Sequence, residues 1–226
     1  MVLHVISVGG SLIVPEDIDL DFLKNFKVFI KNRIKKGDRF ILIAGGGKVC
    51  RKYQNAAKSL VEVSDEENDL LGIYVTKVNA YLLKSVLGKD AHPKIIEDPV
   101  NQKIDFKESV LVGSGWKPGC STDLDAVLIA KRFDAKSIIN LSNIDYVYDS
   151  DPKINPNAKK IKEISWKDFR KIVGNKWDPG LSAPFDPIAS KEAQGLGINV
   201  AILNGKKFDN LNDFLDNKEF IGTLIR

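Results

Sequence analysis

Three short stretches join an apolar run to a glycine cluster: Val5-Ile6-Ser7-Val8-Gly9-Gly10-Ser11, Phe40-Ile41-Leu42-Ile43-Ala44-Gly45-Gly46-Gly47-Lys48 and Val110-Leu111-Val112-Gly113-Ser114-Gly115. Glycine has no Cβ, so a chain leaving a strand can turn sharply there and present bare N–H groups to an anion, helped by the dipole of a following helix. Three such turns predict several phosphate groups at one sheet edge. Two common phosphate motifs are absent. The Gly-x-Gly-x-x-Gly pattern is not met, and Gly119-Cys120-Ser121-Thr122 lacks the lysine that a Gly-x-x-x-x-Gly-Lys-Ser/Thr loop requires. A glycine triplet taken alone serves a tight strand-to-helix turn equally well.

Positioning these turns requires a regular scaffold, and the hydrophobic periodicity predicts one. Residues 3–8 read as a buried strand, and 20–35 as an amphipathic helix with Phe22, Leu23, Phe26, Phe29, Ile30 and Ile34 on one face. A strand over 40–44, a helix over 49–60 and a long helix over 65–87 follow; in the last, Leu70, Ile73, Val78, Leu82 and Val86 recur at helical spacing. The second half continues with strand 109–112, helix 124–133, strand 137–141, helices 166–173 and 187–196, and strand 199–202. Strands separated by helices predict an α/β fold with a mainly parallel sheet covered on both faces. Ligands of such sheets sit beyond the carboxyl ends of the strands, where the glycine clusters fall. Segment 146–165, rich in Asp, Asn, Pro and Lys, reads as a surface loop or small hairpin, and 174–184 as a second loop.

With 226 residues, 43% of them hydrophobic, the chain is long enough to bury a substantial core. Its 34 basic and 30 acidic side chains are interspersed, which argues against nucleic acid as the main partner; a net charge of +4 describes a soluble surface that also favours an anionic substrate. Cys50 and Cys120 have no Cys-x-x-Cys spacing, so neither a zinc site nor a disulfide framework is indicated, and a reducing cytoplasm is the expected location. No run of about 18 apolar residues is present and no charged leader precedes the first strand, so neither secretion nor membrane crossing is expected.

The ordered set is more specific than any member. It comprises Val8-Gly9-Gly10-Ser11, Gly45-Gly46-Gly47-Lys48, Asp69-x-x-Gly72-x-x-x-Thr76-x-x-Asn79-Ala80, Pro118-Gly119-x-Ser121-Thr122-Asp123, Asn143-x-Asp145-x-x-Tyr148-x-x-Asp151-Pro152 and Asp186-Pro187-x-Ala189-x-Lys191. Over nearly the whole chain this resembles the amino-acid kinase family, and within it the archaeal branch that phosphorylates UMP. The resemblance implies one three-layer α/β/α sandwich spanning 1–226, with the phosphoryl acceptor in the N-terminal half, about 1–133, and ATP in the C-terminal half, about 134–226. It implies MgATP as donor, UMP as acceptor, UDP and ADP as products, and a homohexamer built as a trimer of dimers. No nucleic acid or membrane partner is implied, and Mg2+ bridges the ATP phosphates without a metal site of protein ligands.

Carried over residue by residue, the resemblance places Gly9, Gly10, Ser11 and Arg51 in catalysis. ATP would be held by Ser7, Val8, Gly9, Gly10, Ser11, Gly47, Arg51, Ser142, Asn143, Tyr148 and Asp151. UMP would be held by Gly46, Asp69, Trp116, Lys117, Pro118, Gly119, Cys120, Ser121 and Thr122. Each residue has a plainer explanation too: Asp69 as a helix N-terminal carboxylate, Ser121 and Thr122 as caps, Tyr148 as packing, Lys191 as a solvated helix face. His4 and His92 read as structural or exposed.

The chain also departs from the family pattern. Val8 stands where many members carry a lysine against the transferred phosphate, which leaves Mg2+ with Arg51, Lys48 or Lys77 to supply the charge. Lys77 replaces an arginine and loses its planar fork. Ser114 and Tyr146 stand where glycines are usual, so a positive φ at 114 would restrict the loop and a bulky 146 would shift the adenine pocket. Two other readings stay open: a kinase of the same fold acting on isopentenyl phosphate, carbamate or acetylglutamate, and a non-catalytic ATP-binding storage protein. Ala44 stands where isopentenyl phosphate enzymes usually have histidine before the glycine triplet.

Overall fold

The computed structural model describes residues 2–152, 154–176 and 183–226. The first half runs β1 (Leu3–Val8), α1 (Gly10–Ile13), α2 (Leu20–Lys35), β2 (Arg39–Ala44), α3 (Gly47–Leu60), α4 (Asp65–Leu87) and β3 (Val110–Gly113). The second runs α5 (Thr122–Arg132), β4 (Ser137–Ser142), β5 (Val147–Tyr148), β6 (Lys160–Ile161), β7 (Glu163–Ile164), α6 (Trp166–Val173), α7 (Pro187–Leu196), β8 (Asn199–Asn204), α8 (Phe208–Leu215) and β9 (Thr223–Ile225).

Seven strands form one sheet in the order β3-β2-β1-β4-β8-β9-β7. β3, β2, β1, β4 and β8 are parallel, while β9 runs antiparallel to β8. Alternation along the strands sends Ile6, Val8, Leu42 and Leu141 to one face, against α2, α4 and α8; Val5, Ile41, Ile43 and Ile138 go to the other, against α5, α6 and α7. This is the expected α/β architecture in three layers. Each fully buried side chain of this kind contributes roughly 1.5–3 kcal/mol. From β1 the chain builds outward through β2 and β3, then crosses back to place β4 on the other side of β1. The crevice between the carboxyl ends of β1 and β4 is therefore a topological switch point.

The helices over 20–35, 65–87, 166–173 and 187–196 form where the periodicity places them. Helix α4 starts at a capping box, with Ser64 accepting from the Glu67 N–H and Glu67 accepting from Ser64. Of the apolar stripe read in the sequence, Ile73 is buried and Leu82 and Val86 pack against the core. Leu70 and Val78 are 38% and 68% exposed, whereas Asp69, Thr76 and Asn79 face inward. Polar residues face inward because they bind loop backbone: Asn79 Nδ2 donates to the Gly45 carbonyl at 2.8 Å, and Thr76 Oγ accepts the Gly115 N–H at 2.8 Å. By length and composition, residues 65–90 would suffice to cross a membrane, contrary to the expectation that no such stretch exists; here α4 packs on β2, β3 and α3 as a core helix.

Helix α3 starts at Gly47, two residues earlier than expected, because the glycine triplet supplies its first turn. Elements α1, α8 and β9 have no counterpart in the sequence reading: α1 is a single turn, and β9 is three residues long and paired only through the tertiary fold. Segment 146–165 does contain a small antiparallel hairpin, β5 with β6. Of the second predicted loop, Trp177–Ser182 lies outside the described residues.

Candidate active site

At the switch point lies a cavity of about 220 Å³. Ser7, Gly9, Gly10, Ser11 and Leu12 line it from the end of β1, Gly45, Gly46, Gly47 and Arg51 from the end of β2, and Asn140–Asn143 from the end of β4; Thr122, Asp123, Ala183 and Pro184 close it.

The first two glycine turns interlock, backbone on backbone. A Cβ at Gly10 would come within 2.4 Å of the Gly45 carbonyl oxygen and the Gly47 nitrogen; one at Gly47, whose φ is +67°, would meet the Gly10 carbonyl carbon at 2.4 Å. No residue but glycine allows this approach. Gly10 and Ser11 open α1, and Gly46 and Gly47 are the N-cap and first residue of α3, so their N–H groups have no intrahelical acceptor, and all four residues line the cavity.

Gly9 behaves differently from the amide donor expected of it: its N–H is spent on the Leu141 carbonyl at 2.9 Å. Its part in the site is the close approach of β1 to β4, since a Cβ there would sit 2.8 Å from the Leu141 oxygen. Val8 stands behind the turn, fully buried, with its carbonyl accepting the Gly45 N–H. The third glycine cluster does not reach the cavity. A Cβ at Gly113 would strike Ile43 and Ile96, and the Gly115 N–H goes to Thr76, so these glycines serve packing. Ser114 has no positive φ; it is buried, with its N–H on the Ile96 carbonyl, and restricts nothing.

Arg51 is the cationic side chain on the cavity wall. Lys48 and Lys77, the other sequence candidates for missing charge, are held elsewhere: Lys48 Nζ lies 2.9 Å from Glu16, and Lys77 Nζ lies 2.8 Å from Glu97. The carboxylate on the wall is Asp123, to which the sequence reading gave no role. Its Oδ1 accepts from Ser7 Oγ at 3.2 Å and its Oδ2 from the Asp186 N–H at 3.1 Å. Burial, then the neighbouring Asp186 charge, pushes its carboxyl up to about 7. The signal was present in the sequence as an acid following Ser121-Thr122, but a helix N-terminus explains such an acid without a site.

The expected acceptor residues gather beside this cavity. Ser121 caps α5 by accepting the Leu124 N–H, and ahead of it the 116–120 loop turns on a Cys120 N–H to Lys117 carbonyl bond. Lys117 Nζ lies 4.0 Å above the Trp116 ring. Asp69 reaches across from α4, its Oδ2 accepting the Gly119 N–H at 2.7 Å, with Gly119 at φ +80°. Burial raises the Asp69 carboxyl above its usual range. Cys50 and Cys120 are free thiols, and burial pushes Cys120 up to about 11.

On the donor side, Ser142 and Asn143 reach the cavity, whereas Tyr148 lies on the hairpin and Asp151 in the turn beyond it, neither of them on the cavity wall. Tyr146 carries Lys160 Nζ 5.1 Å above its ring. Asp186 caps α7 through the Ala189 N–H. His4 sits 3.5 Å from Asp38 at the opposite end of β1, and His92 Nδ1 lies 2.8 Å from the Lys94 carbonyl oxygen; both are structural.

The sequence pattern of the amino acid kinase family matches residues 3–204. The chain is 36% identical over 224 residues to a uridylate kinase of Thermococcus kodakarensis, covering 98% of both, and 32% identical over 217 residues to one of Pyrococcus abyssi, covering 95% of both. Its fold is similar to the crystal structure of uridylate kinase from Archaeoglobus fulgidus, with a TM-score of 0.80 and 27% identity over the full length of each.

Proposed function

The chain belongs to the amino acid kinase family, and from that membership and the geometry of its cavity we propose that it is a UMP kinase, moving the γ-phosphate of MgATP to UMP to give UDP and ADP for pyrimidine nucleotide synthesis. The observation that carries this reading is the pair of interlocked glycine turns, which together line one cavity at the switch point between β1 and β4. The uridylate kinase names of the relatives supply the acceptor.

A UMP phosphate oxygen attacks the γ-phosphorus in line as the bond to the ADP oxygen breaks. That oxygen is already ionised near neutral pH, so no strong base is needed; alignment and charge neutralisation carry the reaction. Gly10, Ser11, Gly46 and Gly47 donate N–H groups to the phosphates, and Arg51 adds a full positive charge. Ser142 and Asn143 belong to the donor half, and Tyr148 and Asp151 face the adenosine from the hairpin. Asp69 accepts from the ribose hydroxyls, beneath a loop of Trp116, Lys117, Pro118, Gly119 and Cys120, with Ser121 and Thr122 at the acceptor phosphate.

Among the described residues no three His, Cys, Asp or Glu side chains gather to hold a metal. In the proposed reaction Mg2+ would be carried by the nucleotide phosphates. Mg2+ supplies charge neutralisation on the bridging phosphate oxygens. The enzyme works in the cytoplasm as a homohexamer, a trimer of dimers. Supporting the assembly, Leu70, Tyr74, Val78 and Tyr81 form an exposed apolar stripe along α4.

The test is ADP release with MgATP and UMP beside CMP, isopentenyl phosphate, carbamate and acetylglutamate. A clear preference for UMP is expected; equal or faster turnover of a non-nucleotide acceptor would sink the assignment. Asp69→Asn keeps an oxygen for the Gly119 N–H but loses the anionic acceptor. It is expected to raise KM for UMP roughly 10- to 100-fold and to leave KM for ATP within about twofold.

A further inference from the structure

Asp125 is a buried carboxyl that phosphoryl transfer does not use. It sits in the first turns of α5, 1% exposed, with Ala126, Val127, Ile129 and Ala130 buried beside it. Its Oδ2 accepts the backbone N–H of Trp116 at 3.2 Å; its Oδ1 is buried with no hydrogen-bond partner. Among the described residues it has no ion pair, and the charges that reach it are those of Asp123 and Asp98, both acids. Burial first, then those neighbours, hold its carboxyl well above the usual carboxylate range. An uncompensated acid here costs stability, and an apolar side chain would fill the space without that cost.

What the carboxyl contributes lies at its one hydrogen bond. Trp116 stands three residues past the end of β3, and α5 begins where the connecting loop ends, capped by Ser121. The preceding N–H, of Gly115, is held by Thr76, and Gly119 is held by Asp69. Asp125 thus ties the start of the loop to the helix that closes it.

We propose that Asp125 is a positioning residue for the phosphoryl acceptor: it fixes the shape of the 116–121 loop over the acceptor by accepting the Trp116 N–H. This rests on the reading of that loop as the cover of the UMP site. A carboxylic acid and an amide present the same acceptor oxygen, so Asp125→Asn retains the anchor, whereas Asp125→Val and Asp125→Ala remove it.

The experiment compares the wild type and these three variants by amide hydrogen exchange and steady-state kinetics. In the Val and Ala variants the Trp116 amide exchanges about tenfold faster or more, and KM for UMP rises about tenfold, while KM for ATP stays within about twofold. The Asn variant stays within about threefold of wild type in each. The Val variant melts at or above the wild-type temperature, because the unpaired oxygen is gone, which separates lost positioning from lost folding. Unchanged exchange at Trp116, parallel rises in both KM values, or failure of Asn to rescue would each overturn the proposal. A wild-type chain that does not phosphorylate UMP would overturn the functional reading instead, and exchange at Trp116 would still decide whether Asp125 is the anchor.

Discussion

Asp123 shows how far the chemistry of a side chain depends on its surroundings. In the sequence it is an acid in the first turn of a helix, a common place for one. In the fold it is half-buried at the cavity wall beside Asp186, with a carboxyl pushed from 3.8 to about 7. Because the folded-state value lies above the unfolded one, the folded chain binds the extra proton between 3.8 and about 7. The stability this group contributes is therefore present at the acid end of that window and is lost as pH rises through it. Thermal unfolding of the free wild-type enzyme should lose more stability from about pH 5 to about pH 8 than Asp123→Asn does; matching slopes would show that Asp123 titrates as an ordinary surface acid. Lys48 and Lys77 teach the converse: both were credible phosphate partners in the sequence, and both are held by glutamates.

At the scale of elements, the glycine clusters had one description in the sequence and divide into two in the fold. The turns after β1 and β2 interlock at the cavity, while the turn after β3 packs against α4. Glycine-rich turns look alike in sequence because the requirement for a missing Cβ is the same whether an anion or another backbone occupies the space. Gly47→Ala places a side chain at φ +67° and against the Gly10 backbone. The left-handed backbone costs about 1–2 kcal/mol and the forced contact about as much again. Urea denaturation should therefore show a loss of at least about 2 kcal/mol, with turnover reduced at least about tenfold; an alanine variant of wild-type stability would mean that the two turns are not locked together. The long helix α4 was legible in extent but only partly in orientation. Ile73, Ala80, Leu83 and Leu87 mark its inward face by helical spacing, but Asp69, Thr76 and Asn79 share that face because they meet loop backbone, and no apolar periodicity announces them.

At the scale of the molecule, the packing of α4 leaves Tyr74, Val78 and Tyr81 exposed, at 63%, 68% and 48%. Covered by a second copy, these residues would be the dimer seam of the proposed hexamer. Light scattering of the wild type should give a hexameric mass, and Val78→Glu should release smaller species with their circular dichroism intact. A monomeric wild type, or a variant of unchanged mass, would remove the seam from α4.

The sequence by itself determined the α/β alternation, most element boundaries and the family. Each of these is local: periodicity, caps and turn residues act over a few positions, and the ordered motifs are read without knowing what they touch. The tertiary structure decided which groups meet. Parallel strands with a crossover bring Ser7, Gly47 and Asn143 to one crevice from separate stretches of chain, place Asp123 on its wall and bury Asp125 with no ion pair to either among the described residues, and set Lys48 and Lys77 beside glutamates. Burial and pairing are properties of contacts between distant segments, so the charge state of an acid and the reach of a lysine are settled only when the sheet assembles.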